Sequence, residues 1–112
     1  MELVEIVSTF ATEAEAMETS HRLVGERLAA CGSVGAVRSV YRWKESIHDG
    51  LEFLLALKTT RAMADRAEAR LRELHPYETP AILRVPIAAA NPEYAAWVEE
   101  CVGPAGDAPE GA

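Results

Sequence analysis

One stretch constrains this chain more than any other. Val37 to Thr59 alternates in period two on either side of a polar break, Glu45-Ser46-Ile47-His48-Asp49-Gly50, which is the signature of two long strands folded back on each other. It carries Tyr41, Trp43, Phe53 and five leucine or isoleucine residues. Such a ribbon holds more apolar surface than a lone 112-residue domain needs, and large exposed apolar patches mark interfaces. The expectation is therefore an oligomer built through this ribbon, with Val40, Tyr41, Arg42 and Trp43 at the contact between copies.

The segments around the ribbon fix the topology. Leu3 to Phe10 is short, β-branched and apolar on both faces, as suits a strand in the middle of a sheet. Thr12 with Glu15 forms a capping box opening a first helix, whose stripe is read as Met17, Val24, Leu28 and Cys31, with Gly32 as its stop. Val37 to Trp43 is half polar and reads as an edge strand. Leu51 to Thr59 reads as a second central strand.

A second helix follows, capped by Thr59 or Thr60, with a stripe of Met63, Ala67, Leu71 and Leu74, and Pro76 ends it. Ala81 to Ile87 reads as a fourth strand, placed at an edge or bulged because of Pro86. Asn91 and Pro92 open a short third helix, with Tyr94 and Trp97 packing on the sheet.

The order βαββαβ plus one helix predicts an α+β, ferredoxin-like sandwich with a long hairpin between its second and third strands. Right-handed crossovers put strands one and three at the centre, and two helices cover only one face of the sheet. Residues 1–102 form this single domain. Residues 103–112 (GPAGDAPEGA) lack any large apolar side chain and read as a disordered tail.

Composition narrows the function. A net charge of −7 disfavours nucleic acid and anionic membrane as partners, since both are held through Lys and Arg. No apolar run approaches the roughly 20 residues of a membrane-spanning helix. Cys31 and Cys101, in a chain opening directly on a strand-like run, read as reduced thiols of a cytoplasmic protein.

Several motifs resemble one family. Glu26 to Cys31 (ERLAAC), Val37 to Trp43 (VRSVYRW), Leu57 to Thr60 (LKTT), Glu73 to Pro80 (ELHPYETP) and Asn91 to Tyr94 (NPEY) with Trp97 are similar, in this order, to the CutA divalent-cation tolerance family. The resemblance implies a ferredoxin-like fold, a cytosolic homotrimer fastened through the long hairpins, and kinship in architecture with the PII signalling proteins. It also implies a link to tolerance of copper and other divalent metals in bacteria, and to acetylcholinesterase anchoring in animals. Three departures stand out. Ser8 replaces a cysteine of some members, the 32–36 segment (GSVGA) lacks the usual proline and is one residue short, and Glu45-Ser46 replaces a customary Gly-Lys.

Two sets of candidate site residues emerge. Cys31 and His75 are the softest donors for copper or another divalent metal, although no CxxC or HxxxH spacing accompanies them. Against this, Cys31 falls on the apolar stripe of the first helix, where a free Cys behaves as a small hydrophobe. The HPYE loop, with His75, Tyr77 and Glu78, is expected to join Trp43, Glu52 and Lys58 in a cleft between subunits that takes a small ligand. The bland alternatives are His75 capping a helix end, Tyr77 packing at a subunit boundary and Lys58 pairing with a glutamate across strands. His21 and His48 read as solvated. Nothing resembles a nucleophile with its base, so a non-enzymatic binding protein is expected, against a purely structural trimer or an enzyme using His75 with Glu78.

Overall fold

The structure is a computed structural model that describes residues 2–103. Four antiparallel strands, β1 (Leu3–Phe10), β2 (Cys31–Trp43), β3 (Ser46–Thr60) and β4 (Leu83–Pro86), form one sheet in the order β2-β3-β1-β4. Three helices, α1 (Glu13–Gly25), α2 (Arg61–Leu74) and α3 (Pro92–Cys101), complete the ferredoxin-like sandwich. The central placement of strands one and three and the edge placement of β2 and β4 follow the expected topology. The expected tail lies outside the described residues from position 104 onward.

Register sorts the side chains into two layers. Ile6 lies opposite Leu57, Ser8 opposite Leu55 and Phe10 opposite Phe53, and these face α1 and α2. With Leu23, Ala67 and Leu71 they make a core from which water is excluded. The alternate residues, Val7, Thr9, Leu54 and Ala56, face the other way and are only partly covered. Leu83 and Val85 continue that face and are exposed. Thr60 caps α2 as expected, its hydroxyl accepting from the Met63 amide at 3.3 Å, and Thr12 caps α1 by accepting from the Glu15 amide at 3.1 Å.

The first helix departs from its expected course. It ends at Gly25, not at Gly32, because Arg27 adopts a left-handed φ of 64° and the Leu28 amide returns to the Leu23 carbonyl at 3.0 Å. This closure normally uses glycine. Met17 and Val24, assigned to the buried stripe, are exposed. The buried face is instead Ala16, Thr19, Ser20 and Leu23. Small side chains there let α1 approach β2, which already begins at Cys31. A methyl group on Gly32 would overlap the Ser20 hydroxyl and crowd Leu57 at 3.1 Å. Gly32 is thus a close-approach residue inside a strand, and Cys31 belongs to β2 rather than to a helix.

The hairpin is longer and tighter than expected. Its turn is the two-residue pair Lys44 and Glu45, with φ of 50° and 70°, as a strand-matching turn requires. Ile47, His48, Asp49 and Gly50 are paired strand residues, opposite Arg42, Tyr41, Val40 and Ser39. Because β1 ends opposite Phe53, the segment Ser46 to Glu52 pairs with β2 alone. The two-stranded arm extends the molecule to 49 × 30 × 20 Å, with a radius of gyration of 14.9 Å against about 13 Å for a compact domain of this length. Val40 and Ile47 on the arm are 73% and 68% exposed. In α3, Val98 is buried, Tyr94 packs against the core and reaches Cys31 of β2, and Trp97 lies beside Tyr94 with 41% of its surface exposed.

Two stability outcomes follow from backbone geometry. Gly32→Ala is expected to lower unfolding free energy by roughly 1–3 kcal/mol, the usual cost of overpacking. Glu45→Gly is expected to raise it by roughly 0.5 kcal/mol, since a left-handed non-glycine residue costs about 1–2 kcal/mol and glycine's added unfolded-state entropy offsets part of the gain. Urea denaturation of the two variants beside the parent chain measures both.

Candidate functional site

The arm, from Ser39 out to Trp43, and the loop after α2 border an open cavity of about 880 Å³. The proline at 76 disfavours helical angles at the residue before it, and His75 accordingly leaves α2 with extended angles. Its ring turns inward and stacks on Phe10 at 4.2 Å. Nδ1 accepts the Tyr77 amide proton at 3.1 Å, so the ring proton resides on Nε2, which donates to the Thr9 carbonyl at 2.9 Å. Both ring nitrogens are thereby committed to holding the loop against the end of β1.

That clamp aims the next side chain. Tyr77 extends to β3, where its hydroxyl donates to Glu52 Oε2 at 2.8 Å. Burial, then the Glu52 carboxylate, pushes the Tyr77 phenol well above its ordinary range, so it remains a donor at any physiological pH. Glu78, next in the loop, lies at the surface with its carboxylate 3.9 Å from Lys44 Nζ. The same ammonium sits 5.4 Å from the centre of the Trp43 ring.

Four of the six residues expected to form a cleft, Trp43, Glu52, Tyr77 and Glu78, line this cavity together with Tyr41 and Arg42. The structure does not bring the other two there. His75 is buried behind Tyr77, where it serves as a clamp and not as a helix cap. Lys58 shares a face with Glu52 but lies six residues away along β3, about 20 Å at strand spacing. Its Nζ is 3.0 Å from Glu5 Oε2, directly opposite in register. The cross-strand pair exists with Glu5 as its partner.

The expected metal donors are separated. Cys31 lies opposite Lys58, at the far end of the sheet and on the face away from His75. Its Sγ is 3.3 Å from the Tyr94 hydroxyl. Among the described residues no group of three or more His, Cys, Asp or Glu side chains is placed to hold a metal ion, and the thiol and imidazole of one chain do not fit a shared ion. Pairing His75 with Glu78 for acid–base work fails on the same committed nitrogens. Sequence reasoning missed Tyr41 and Arg42 as cavity residues, having assigned them only to the contact between copies.

Burial lowers the His75 pKa against the raising effect of the Thr9 carbonyl. A histidine held neutral in the folded state contributes stability that is complete above its ordinary value near 6.5 and is lost as pH falls through it. The urea midpoint is therefore expected to drop between pH 7.5 and 5.5. His75→Gln should lose roughly 1–3 kcal/mol at pH 7.5 through broken buried hydrogen bonds and flatten that pH dependence. An unchanged slope in the variant would contradict the clamp.

With this geometry in place, comparison with known proteins is direct. Residues 4–101 match the profile of the CutA1 divalent ion tolerance protein family. The divalent-cation tolerance protein CutA of Thermotoga maritima is 37% identical over 100 residues, covering 89% of this chain and 99% of that protein. Among solved structures, the divalent cation tolerance protein CutA1 of Thermus thermophilus superposes with a TM-score of 0.84 at 38% identity, covering 92% of this chain and all of the other. A periplasmic CutA of Archaeoglobus fulgidus gives 0.87 at 28% identity, covering 90% and 99%. The match spans the whole domain in sequence and in fold, and the chain belongs to the CutA divalent-cation tolerance family.

Proposed function

We propose that the protein is a non-enzymatic, PII-like homotrimer of the cytoplasm that takes a metal ion or small ligand in clefts between subunits, in a tolerance or signalling role. The two-stranded arm is the observation that supports this reading. A ribbon of two strands is marginal in water by itself, and this one displays Val40, Tyr41, Trp43, Ile47 and Leu51 to solvent in the isolated chain. A closed ring of copies would cover those side chains and the unpaired sheet edges together. The cavity runs along the arm from Ser39 to Trp43, where a neighbouring copy completing the ring would wall it. Since Cys31 and His75 do not meet within one chain, a metal ion in this reading needs donors drawn from more than one subunit. Two unpaired thiols favour a reducing compartment.

Sedimentation equilibrium at micromolar concentration should give three times the chain mass. Val40→Asp should weaken assembly roughly tenfold or more, because an unpaired carboxylate would be buried in the contact. In a reversible melt coupled to dissociation the midpoint should rise with protein concentration. A monomer, or a midpoint independent of concentration, overturns the trimer. Calorimetry with Cu(II), and with Cu(I) under reducing conditions, against Cys31→Ser and His75→Ala decides the metal: heat lost in either variant would restore those donors. A trimer that binds neither metal nor small molecules would be a purely structural assembly.

A further inference from the structure

The two hydrogen bonds of His75 respond differently to a proton. In the neutral ring Nδ1 accepts from the Tyr77 amide at 3.1 Å and Nε2 donates to the Thr9 carbonyl at 2.9 Å, which leaves neither nitrogen a lone pair for a metal ion. Protonation adds a hydrogen at Nδ1. The Thr9 bond survives it, since a carbonyl accepts from an imidazolium as from an imidazole. The Tyr77 bond does not, because two N–H groups then face each other. The ring therefore keeps its seat on β1 and on the Phe10 ring, 4.2 Å away, while the loop loses its tether.

The surroundings supply a partner for the new N–H. Glu15 of α1 lines a small cleft of about 220 Å³ together with Leu74 and Pro76, the residues on either side of His75. Its Oε1 is shielded from solvent and has no hydrogen-bond partner among the described residues, a costly state for a carboxylate oxygen. Charged groups act on the ring from three elements. Glu15 on α1 and Glu52 on β3 favour the imidazolium, Arg72 on α2 opposes it, and burial, the largest effect, holds the ring neutral until the solution is acidified. Tyr77, with its ring centre 4.8 Å from that of His75, keeps its phenolic proton throughout.

From this arrangement we infer that His75, Tyr77 and Glu15 form a proton-operated latch: acidification turns Nδ1 from the Tyr77 amide to the Glu15 carboxylate and frees the loop at 76–80 while the sheet stays intact. The consequence reaches the cavity. Tyr77 joins the loop to β3 through Glu52 Oε2, 2.8 Å from its hydroxyl, and it lines the cavity along the arm. Release of the loop removes that aromatic wall. The other link between loop and arm, Glu78 with Lys44 at 3.9 Å, is exposed on both sides, and such a pair holds little by itself. The latch lies within one chain and operates whether or not copies assemble.

Hydrogen exchange on the full chain between pH 7.5 and 5.5 tests the latch, with each rate divided by the intrinsic rate at that pH. The His75 ring is titrated by NMR in the same buffers, and the sedimentation profile is recorded alongside. Protection of the 76–80 amides is expected to fall about tenfold or more as the ring charges, the scale of one lost buried hydrogen bond, while amides of β1 and β3 keep theirs. Glu15→Gln should move the ring titration and the loss of loop protection to lower pH together. His75→Gln, where it folds, should abolish the pH response of the loop, and Glu15→Gln carries the test where it does not. A loop that stays protected down to pH 5.5 overturns the latch, whether or not the ring has charged. So does protection lost from loop and strands at once, which is global unfolding, or lost only as copies dissociate. A ring titration that Glu15→Gln leaves in place overturns Glu15 as the receiving group, and the latch with it.

Discussion

The structure depends on where β1 stops. Phe10 is the last residue of β1 and lies opposite Phe53, so every pair farther out along the hairpin has strand contact on one side only. Within the sheet, burial under α1 and α2 stabilises the pairs. Beyond it the arm has its own ladder, a two-residue turn and two side-chain contacts from the loop after α2, Tyr77 to Glu52 and Glu78 to Lys44. An arm of that kind keeps its shape in water when its apolar side chains find cover. The exposed Ile47 is therefore the complement of the buried Leu55 and Leu57: the same strand, β3, on opposite sides of the point where β1 ends, with Val40 equally exposed on β2 beside it.

A second constraint fixes the loop beneath the arm. His75 lies at the junction of α2, β1 and the HPYE loop, and each of its ring nitrogens serves a different segment. Loss of either bond would free Tyr77, and with it the carboxylate of Glu52. A buried neutral histidine thus supports the cavity without entering it. At the other end of the sheet, Lys58 with Glu5 and Cys31 with Tyr94 satisfy their own polar groups. The partly covered face has two polar ends separated by the apolar Val7, Leu54 and Ala56, and only the end near the arm forms the large cavity.

Periodicity made most of this architecture legible in the sequence. The strand order and the excess apolar surface of the hairpin follow from patterns of two and of 3.6, while capping and proline chemistry narrowed the α2 cap to Thr59 or Thr60 and Pro86 to an edge or a bulge. The course of α1 did not, because its buried face uses Ala16, Thr19 and Ser20, side chains that carry no hydrophobic signal, while Met17 and Val24 carry a strong one and lie outside. The signal that could have corrected it was Gly32, read as a stop when it is a point of close approach. The cleft was legible in part. Trp43, Glu52, Tyr77 and Glu78 line one cavity of the single chain, but the sequence does not show that Lys58 pairs with Glu5 or that both nitrogens of His75 are spent.

The tip of the arm joins these threads. Lys44 and Glu45 both adopt left-handed angles that a glycine would adopt without steric cost, and the family resemblance places a glycine at position 45, within this turn. The strained turn is the one that carries the Lys44 ammonium to Trp43 and Glu78. Relaxing the turn at position 45 would keep Lys44 in the chain but widen the angles available to it, which changes how often Glu78 and the Trp43 face stand unoccupied. Backbone strain at the tip and charge at the mouth of the cavity are therefore coupled through one residue. The departure from the family pattern bears on what the cavity accepts more than on whether the ribbon forms, because the ladder from Trp43–Ser46 inward is intact.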